Sequence, residues 1–268
     1  MIFGVVPPSG LCLYNPRLPP SSLSFGGIGC VFIILCIPTY FFISVIVTNS
    51  PPFKRPCQLR DLGFKPYREV WKLQRSLMAS KIEHPQEQDY LLLTEHPPVY
   101  TLGTGSNLDN LKFDPGVNPD LVRTERGGEV TYHCPGQLVM YPILNLKFHR
   151  ADLHWYLRQL EAIIIETIAH WDLSAETIDG LTGVWLEGKK VAAIGIKVSR
   201  WITMHGCAIN VCPDLTGFNQ IIPCGISHKP VGKLEEFYKT LTIEQVKPIL
   251  INKFQEKFNL QIQKDKSH

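Results

Sequence analysis

The chain has 268 residues, 44% of them hydrophobic and 19% charged, the balance of a globular protein with one large domain or two small ones. Its net charge of +3 is too small to argue for a nucleic-acid partner, and no basic cluster is interleaved with aromatics; it suits a mildly basic face for an acidic protein. The eight cysteines (Cys12, Cys30, Cys36, Cys57, Cys134, Cys207, Cys212 and Cys224) contain no C-x-x-C pair and space as neither a disulfide framework nor a zinc site, so we expect a reducing compartment and no metal.

The first fifty residues stand apart. No charge occurs between Arg17 and Lys54, and Ile28 to Val47 is almost continuously apolar. Twenty such residues in a helix, at about 1.5 Å each, are long enough to span a bilayer, with a kink at Pro38. Lys54, Arg55 and Arg60 then leave the rest of the chain in the cytoplasm. The stretch lacks the basic start and cleavage site of a secretory signal and is poor in arginine for a transit peptide. Residues 1–51 are therefore expected to be a membrane anchor, with membrane contact through residues 28–47, or else a segment upstream of the true start of translation.

From residue 52 to 268 the chain reads as one α/β domain. Tyr67, Val70, Trp71, Leu73, Leu77 and Met78 recur at helical spacing, predicting a helix over 66–81. Asp89 to Glu95 and Val99 to Gly103 are expected strands, broken by Pro97 and Pro98. Between Leu121 and Leu146 the pattern is strand, Gly-Gly turn, strand, Pro-Gly turn, strand. Leu153, Tyr156, Leu157, Leu160, Ile163, Ile164, Ile168 and Trp171 mark what should be the longest helix. "GVWLEGKKVAAIGIKV" reads as a hairpin turning at Glu187-Gly188, followed by a strand from Trp201 to Val211. Thr242 and Gln245 form a capping box for a last helix that contains Pro248. Strands in runs, separated by helices, favour an α+β fold over a doubly wound one.

Four features carry chemistry. Cys224, in "IIPCGIS", sits at a proline–glycine corner instead of on a strand or helix face, which makes it a candidate nucleophile as well as a candidate packing residue. Strand alternation puts Lys190 with Ala192, Ile194, Ile196 and Val198, a single charge on an apolar face. It either snorkels to water or draws a nearby thiol toward thiolate. Gly127 and Gly128 form either a tight hairpin or a close approach of backbone to a ligand, and Gly206 interrupts a strand in the manner of a bulge or of another close approach. His133 and His205 are each a candidate general base or a hydrogen-bonded core residue. No phosphate-binding P-loop occurs.

Taken together, "RTERGGEVTYHCPGQLVMYPI", "TGVWLEGKKVAAIGIKVSRWITMHG" and "NQIIPCGI", in that order, resemble the octanoyltransferase (lipoate-protein ligase B) family, from about Cys57 to Phe258. The resemblance implies a mixed sheet packed with helices, like the catalytic domain of biotin and lipoate protein ligases. It implies octanoyl transfer without ATP or any cofactor. The donor would be octanoyl-acyl carrier protein, and the acceptor a lysine on the lipoyl domains of 2-oxoacid dehydrogenases or on the glycine cleavage H protein. Cys224 matches the acyl-thioester cysteine and Lys190 the lysine that lowers its pKa. Arg126, Gly127, Gly128, Glu129, Val130, Thr131, Tyr132 and His133 match a substrate-binding segment, as do Ala193, Ile194 and Gly195, and Gly206, Cys207 and Ala208. Cys134, where most members have glycine, and "PVGKL" from Pro230 to Leu234 resemble the cyanobacterial and plastid branch, so a plastid joins the cytoplasm as an expected location.

In that reading the thiolate of Cys224 attacks the octanoyl carbonyl, the carrier leaves, and the acceptor lysine then attacks the enzyme thioester. The incoming group is already a thioester, so its transfer to a thiol is nearly isoenergetic and needs no nucleotide. Alternatives are an ATP-dependent lipoate or biotin ligase, which would form AMP, a cysteine thioester hydrolase, which would release free acid, and a non-catalytic membrane adaptor.

Overall fold

The computed structural model describes residues 30–37, 40–47, 54–116, 120–222 and 230–264. The chain divides into two units, Met1–Lys54 and Arg55–His268. In the first, strands β1 (Cys30–Ile37) and β2 (Tyr40–Val47) pair antiparallel, with Cys30 opposite Val47 and Ile37 opposite Tyr40. This corrects the helix expected over Ile28–Val47. Both eight-residue stretches are rich in β-branched and aromatic residues, which lose rotamer freedom in a helix and fit a pleated surface. No helix among the described residues is long and apolar enough to cross a membrane.

The second unit runs β3 (Arg55–Phe64), α1 (Tyr67–Glu83), β4 (Asp89–Glu95), β5 (Val99–Leu102), β6 (Leu121–Arg123), β7 (Thr131–His133), β8 (Gln137–Ile143), α2 (Leu153–Ile168), β9 (Ala175–Ile178), β10 (Leu181–Leu186), β11 (Lys189–Ser199), β12 (Ile202–Asn210), α3 (Ile243–Lys257) and β13 (Leu260–Lys264). Eight strands form one mixed sheet in the order β13-β3-β4-β8-β12-β11-β10-β9, and a second sheet has the order β6-β5-β7. β3 is parallel to both β13 and β4, and every other neighbour in the large sheet is antiparallel. This is the expected α+β fold with a mixed sheet.

Local chemistry fixes the element ends. Asp152 caps α2, its Oδ1 accepting from Trp155 N at 3.0 Å, and Thr242 N donates to Gln245 Oε1 at 3.0 Å at the start of α3. The β10–β11 hairpin turns at Glu187 (φ 47°) and Gly188 (φ 77°), the two left-handed residues that a two-residue connection needs. α2, at 16 residues, is one shorter than α1, so the longest described helix is the earlier one.

Alternation sorts the large sheet into two faces. Leu138, Met140, Cys207, Ile209, Val184 and Ala192 pack with Tyr156, Leu160 and Ile164 of α2 and Val246, Leu250 and Phe254 of α3. On the opposite face, Val139, Tyr141, Met204 and Ala208 meet Val70, Leu77 and Met78 of α1. One end of the sheet is held by buried charge. Asp89 receives Arg55 Nε at 2.9 Å, Lys81 Nζ at 2.8 Å and His149 Nε2 at 3.0 Å. Burial pushes the Asp89 carboxyl up, but the His149 hydrogen bond and the charges of Lys81 and Arg55 outweigh it and hold it below its ordinary value.

The Gly127-Gly128 pair is not a hairpin tip. β6 and β7 lie on either side of β5 and do not pair with each other, so the segment between them is free to cross toward the large sheet.

Candidate active site

A cavity of about 240 Å³ opens on the α1-side face of the large sheet, between β11, β12, β8 and the segment after β6. Its floor consists of small residues in register: Ala193 lies opposite Ala208, and Gly195 opposite Gly206. Val139 and Tyr141 of β8 and Tyr67 of α1 extend the wall.

Lys190 reaches this cavity because the strand is irregular. Trp185 pairs with Lys190 and Val184 with Ala192, so Val191 is an extra residue, a β-bulge. Beyond a bulge the parity of the strand reverses. Lys190 therefore shares the face of Ala193 and Gly195, whereas Ala192, Ile194, Ile196 and Val198 pack toward the α2/α3 core. This corrects the face assignment drawn from simple alternation. The Lys190 side chain is 8% exposed, with Nζ 5.1 Å from the centroid of the Trp185 ring. Gly183 (φ 142°) makes room for it, since a Cβ there would lie 2.6 Å from Lys190 Cε.

Over the floor lies the Arg126–Gly128 segment. Gly127 N donates to Ile196 O at 2.8 Å, and a Cβ on Gly103 would fall 2.1 Å from Gly128 O. The close approach of backbone anticipated for the glycine pair is thus made to protein on both sides. Arg126 is buried, with Nη2 2.5 Å from Thr101 O and Nε 3.2 Å from Thr101 Oγ1.

Of the segment 126–133, Arg126, Gly128, Glu129, Thr131 and His133 line the cavity. Gly127, Val130 and Tyr132 do not. Val130 and Tyr132 alternate to the other side of β7, where they pack with Tyr100, Leu102, Cys134 and Phe218. Ala193, Ile194, Gly195, Gly206, Cys207 and Ala208 all line it.

Three buried imidazoles stand in or behind the polar wall. His133 Nδ1 donates to Gln137 Oε1 at 2.7 Å, because Gln137 Nε2 is committed to Asn210 Oδ1 at 2.9 Å. Tyr67 stacks on the His133 ring at 5.6 Å, and His96, bonded through Nε2 to Tyr141 OH at 2.9 Å, meets it edge-on. Burial carries His133 down to about 3 and His96 to about 4, so both stay uncharged near neutral pH. His205 is left-handed (φ 60°) and 1% exposed, and its backbone N–H leaves the strand ladder to donate to Gln74 Oε1 of α1 at 2.9 Å. Its Nε2 stands 3.7 Å from Glu125 Oε2. Burial lowers the His205 pKa, while the imidazole beside Glu125 and the indole N–H of Trp71 outweigh burial of that carboxyl and bring it down to about 2. Tyr67, Val139, Tyr141, Gln74 and Glu125 were not singled out from sequence. Each looks there like an ordinary core or surface residue, and only the fold brings them to the cavity.

Cys224 lies outside the described residues, and the chain on either side of 223–229 is pinned at the cavity. Ile222 N donates to Asn110 O at 2.8 Å, and Asn110 Nδ2 reaches Glu129 Oε2 at 3.1 Å. Beyond residue 229, Lys190 N donates to Pro230 O at 2.8 Å and Gly232 N to Lys190 O at 3.0 Å. Among the described residues no cluster of three His, Cys, Asp or Glu side chains is placed to hold a metal ion. Burial pushes the thiols of Cys134 and Cys207 up to about 12, and those of Cys57 and Cys212 upward as well.

Known proteins resemble this chain in sequence and in fold. Residues 66–255 match the model of the lipoyl protein ligase A/B catalytic domain. An octanoyltransferase of Nostoc sp. strain PCC 7120 is 57% identical over 219 residues, covering 81% of this chain and 99% of its own length. One of Synechocystis sp. strain PCC 6803 is 59% identical over 203 residues, covering 75% and 89%. Among solved structures, lipoate-protein ligase A bound with ATP superposes with a TM-score of 0.62 at 14% identity, over 80% of this chain and 89% of that one, a likeness of fold. The chain belongs to the lipoyl protein ligase A/B catalytic domain family, and within it to the octanoyltransferases.

Proposed function

We propose that the protein transfers an octanoyl group from octanoyl-acyl carrier protein to a lysine of lipoyl domains, through a thioester on Cys224, in the cytoplasm. One observation carries the assignment of the site. The strand residue that bears the cavity's lysine, Lys190, is hydrogen-bonded through its own backbone to Pro230 and Gly232, directly after the 223–229 segment that contains Cys224. The high titration points of Cys57, Cys134, Cys207 and Cys212 argue against any of them as the thiolate near neutral pH.

In this reaction the Cys224 thiolate adds to the octanoyl carbonyl. The C–S bond to the carrier breaks, and the carrier leaves as a thiol with a proton from Lys190. Lys190, as ammonium, stabilises the enzyme thiolate before acylation and after release. The acceptor amine then adds to the enzyme thioester, returns one proton to Lys190, and regenerates the thiolate as the amide forms. The apolar floor of Ala193, Ala208 and Val139 takes the acyl chain, each buried CH₂ contributing about 0.8 kcal/mol.

Intact mass measurement after exposure to octanoyl-acyl carrier protein, without nucleotide, tests the reading. The expected result is an octanoyl adduct removed by hydroxylamine, absent in Cys224→Ser and retained in Cys134→Ser and Cys212→Ser. Lys190→Met should slow acylation by about 100-fold or more, in the range of positioned proton-transfer groups. Loss of the adduct in Cys134→Ser would move the nucleophile elsewhere, and AMP formation would move the chemistry to the ATP-dependent ligases.

A further inference from the structure

Several half-buried lysines of the second unit are matched by carboxylates. Lys189 pairs with Glu236, Lys233 with Glu235, Lys247 with Asp61, Lys253 with Glu256 and Lys257 with Glu166. Exposed cations without such a match occur singly, as at Lys112, Lys147 and Lys239, but gather in a row on the outer face of α1. Arg68, Lys72 and Arg75 follow one another at i, i+4 and i+7, all exposed, and no described carboxylate lies within 4 Å of any of them. The one acid between Arg68 and Ser80 is Glu69, whose Oε1 is 3.6 Å from Lys65 Nζ. Three charges over seven residues make a row about 10 Å long at 1.5 Å per residue.

This row borders the active site. Arg68, Lys72 and Arg75 form a shallow groove around Trp71, with the Arg75 guanidinium 5.4 Å from the Trp71 ring centroid. Trp71 Nε1 donates to Glu125 Oε2 at 3.0 Å, and Glu125 stands beside His205 of the cavity wall. A body seated on α1 is therefore one side chain away from the cavity without covering it.

We propose that the outer face of α1, through Arg68, Lys72 and Arg75, docks the acyl carrier protein by a complementary row of carboxylates on that partner. The assignment rests on the carrier-protein donor of the preceding section. The donor is favoured over the acceptor because the patch lies beside the cavity, not over it. An acyl group on a long flexible arm can cross that distance, whereas an acceptor lysine must be presented at the mouth itself. Charges outside the cavity act on encounter more than on chemistry, so the effect belongs in KM and in its salt dependence.

The test is the full chain carrying Arg68→Gln, Lys72→Gln and Arg75→Gln together. KM for octanoyl-acyl carrier protein should rise about tenfold at low ionic strength, the difference from wild type shrinking as added salt screens the row. Turnover of octanoyl-N-acetylcysteamine, a donor with no protein surface, and KM for the lipoyl domain should not change. Direct titration of the carrier onto the Cys224→Ser chain, with and without the three substitutions, needs no turnover and keeps docking separate from the identity of the nucleophile. An unchanged carrier KM and affinity, an equal loss with the small thioester, or a rise confined to the lipoyl domain would each overturn the proposal.

Discussion

The two faces of the large sheet are made from the same strands and do opposite things. Toward α2 and α3, β8, β12 and β10 present Leu138, Met140, Cys207, Ile209 and Val184, each at most 2% exposed, and they close into a core. Toward α1, the alternate residues of β11 and β12 are Ala193, Gly195, Gly206 and Ala208, and the space above them stays open. Strand alternation lets a single stretch of sequence specify a filled side and a hollow side at once, with side-chain size as the only variable. The hollow is not merely unfilled, since Gly206 also admits the neighbouring strand: a Cβ there would lie 2.1 Å from Met140 O.

Substitutions on the two sides should therefore separate stability from chemistry. Met140→Ala, on the filled side, should cost about 2–5 kcal/mol in a urea titration while leaving transfer at low temperature close to wild type. Equal loss of activity and stability would show that the faces are not independent. Ala193→Val, on the hollow side, adds bulk where the acyl chain lies. Displacing two carbons forfeits about 1.6 kcal/mol of burial, so octanoyl transfer should weaken about tenfold relative to butyryl transfer, read as the ratio of kcat/KM for the two thioesters. The smallest effect tests the bulge between the faces. Lys189→Met removes a half-buried lysine paired with Glu236 at the sheet surface, worth about 0–1 kcal/mol, and its acylation rate should match wild type, in contrast to Lys190→Met one residue on. Similar rates for the two variants would deny the bulge its role.

Features with their own period were legible from sequence: α1, β4, the Glu187-Gly188 hairpin and the Thr242–Gln245 cap each carry local signals that no tertiary contact had to supply. The parity of Lys190 was not, because an extra valine in a run of Val, Ala and Ile leaves the apolar pattern intact while turning the strand over. Nor could adjacency in sequence reveal that β6 and β7 are separated by β5. Of the expected binding segment, Thr131 and His133 fell in the cavity and Val130 and Tyr132 behind it, a division set by where β7 begins. Lys81 looked like a helix end and is buried on Asp89, a partner that only the closed sheet provides. The apolar run before residue 48 carried enough hydrophobicity for a helix or a strand, and its β-branched and aromatic content decided for strands.

The left-handed turn of His205 has a mechanical meaning. The register of β12 with β8 runs from Asn210 to Cys207 opposite Met140, and at His205 the strand hands its amide across to Gln74 in the middle of α1. A left-handed residue that is not glycine costs roughly 1–2 kcal/mol, and the bond to Gln74 helps to hold it there. This backbone link adds to the contacts of Tyr67 and Trp71 and ties the helix to the cavity wall, like a lever pinned to the plate it lies on. A displacement of α1 along its axis must either break that link or carry His205 with it, so load applied to the outside of the helix is delivered to the lining of the cavity.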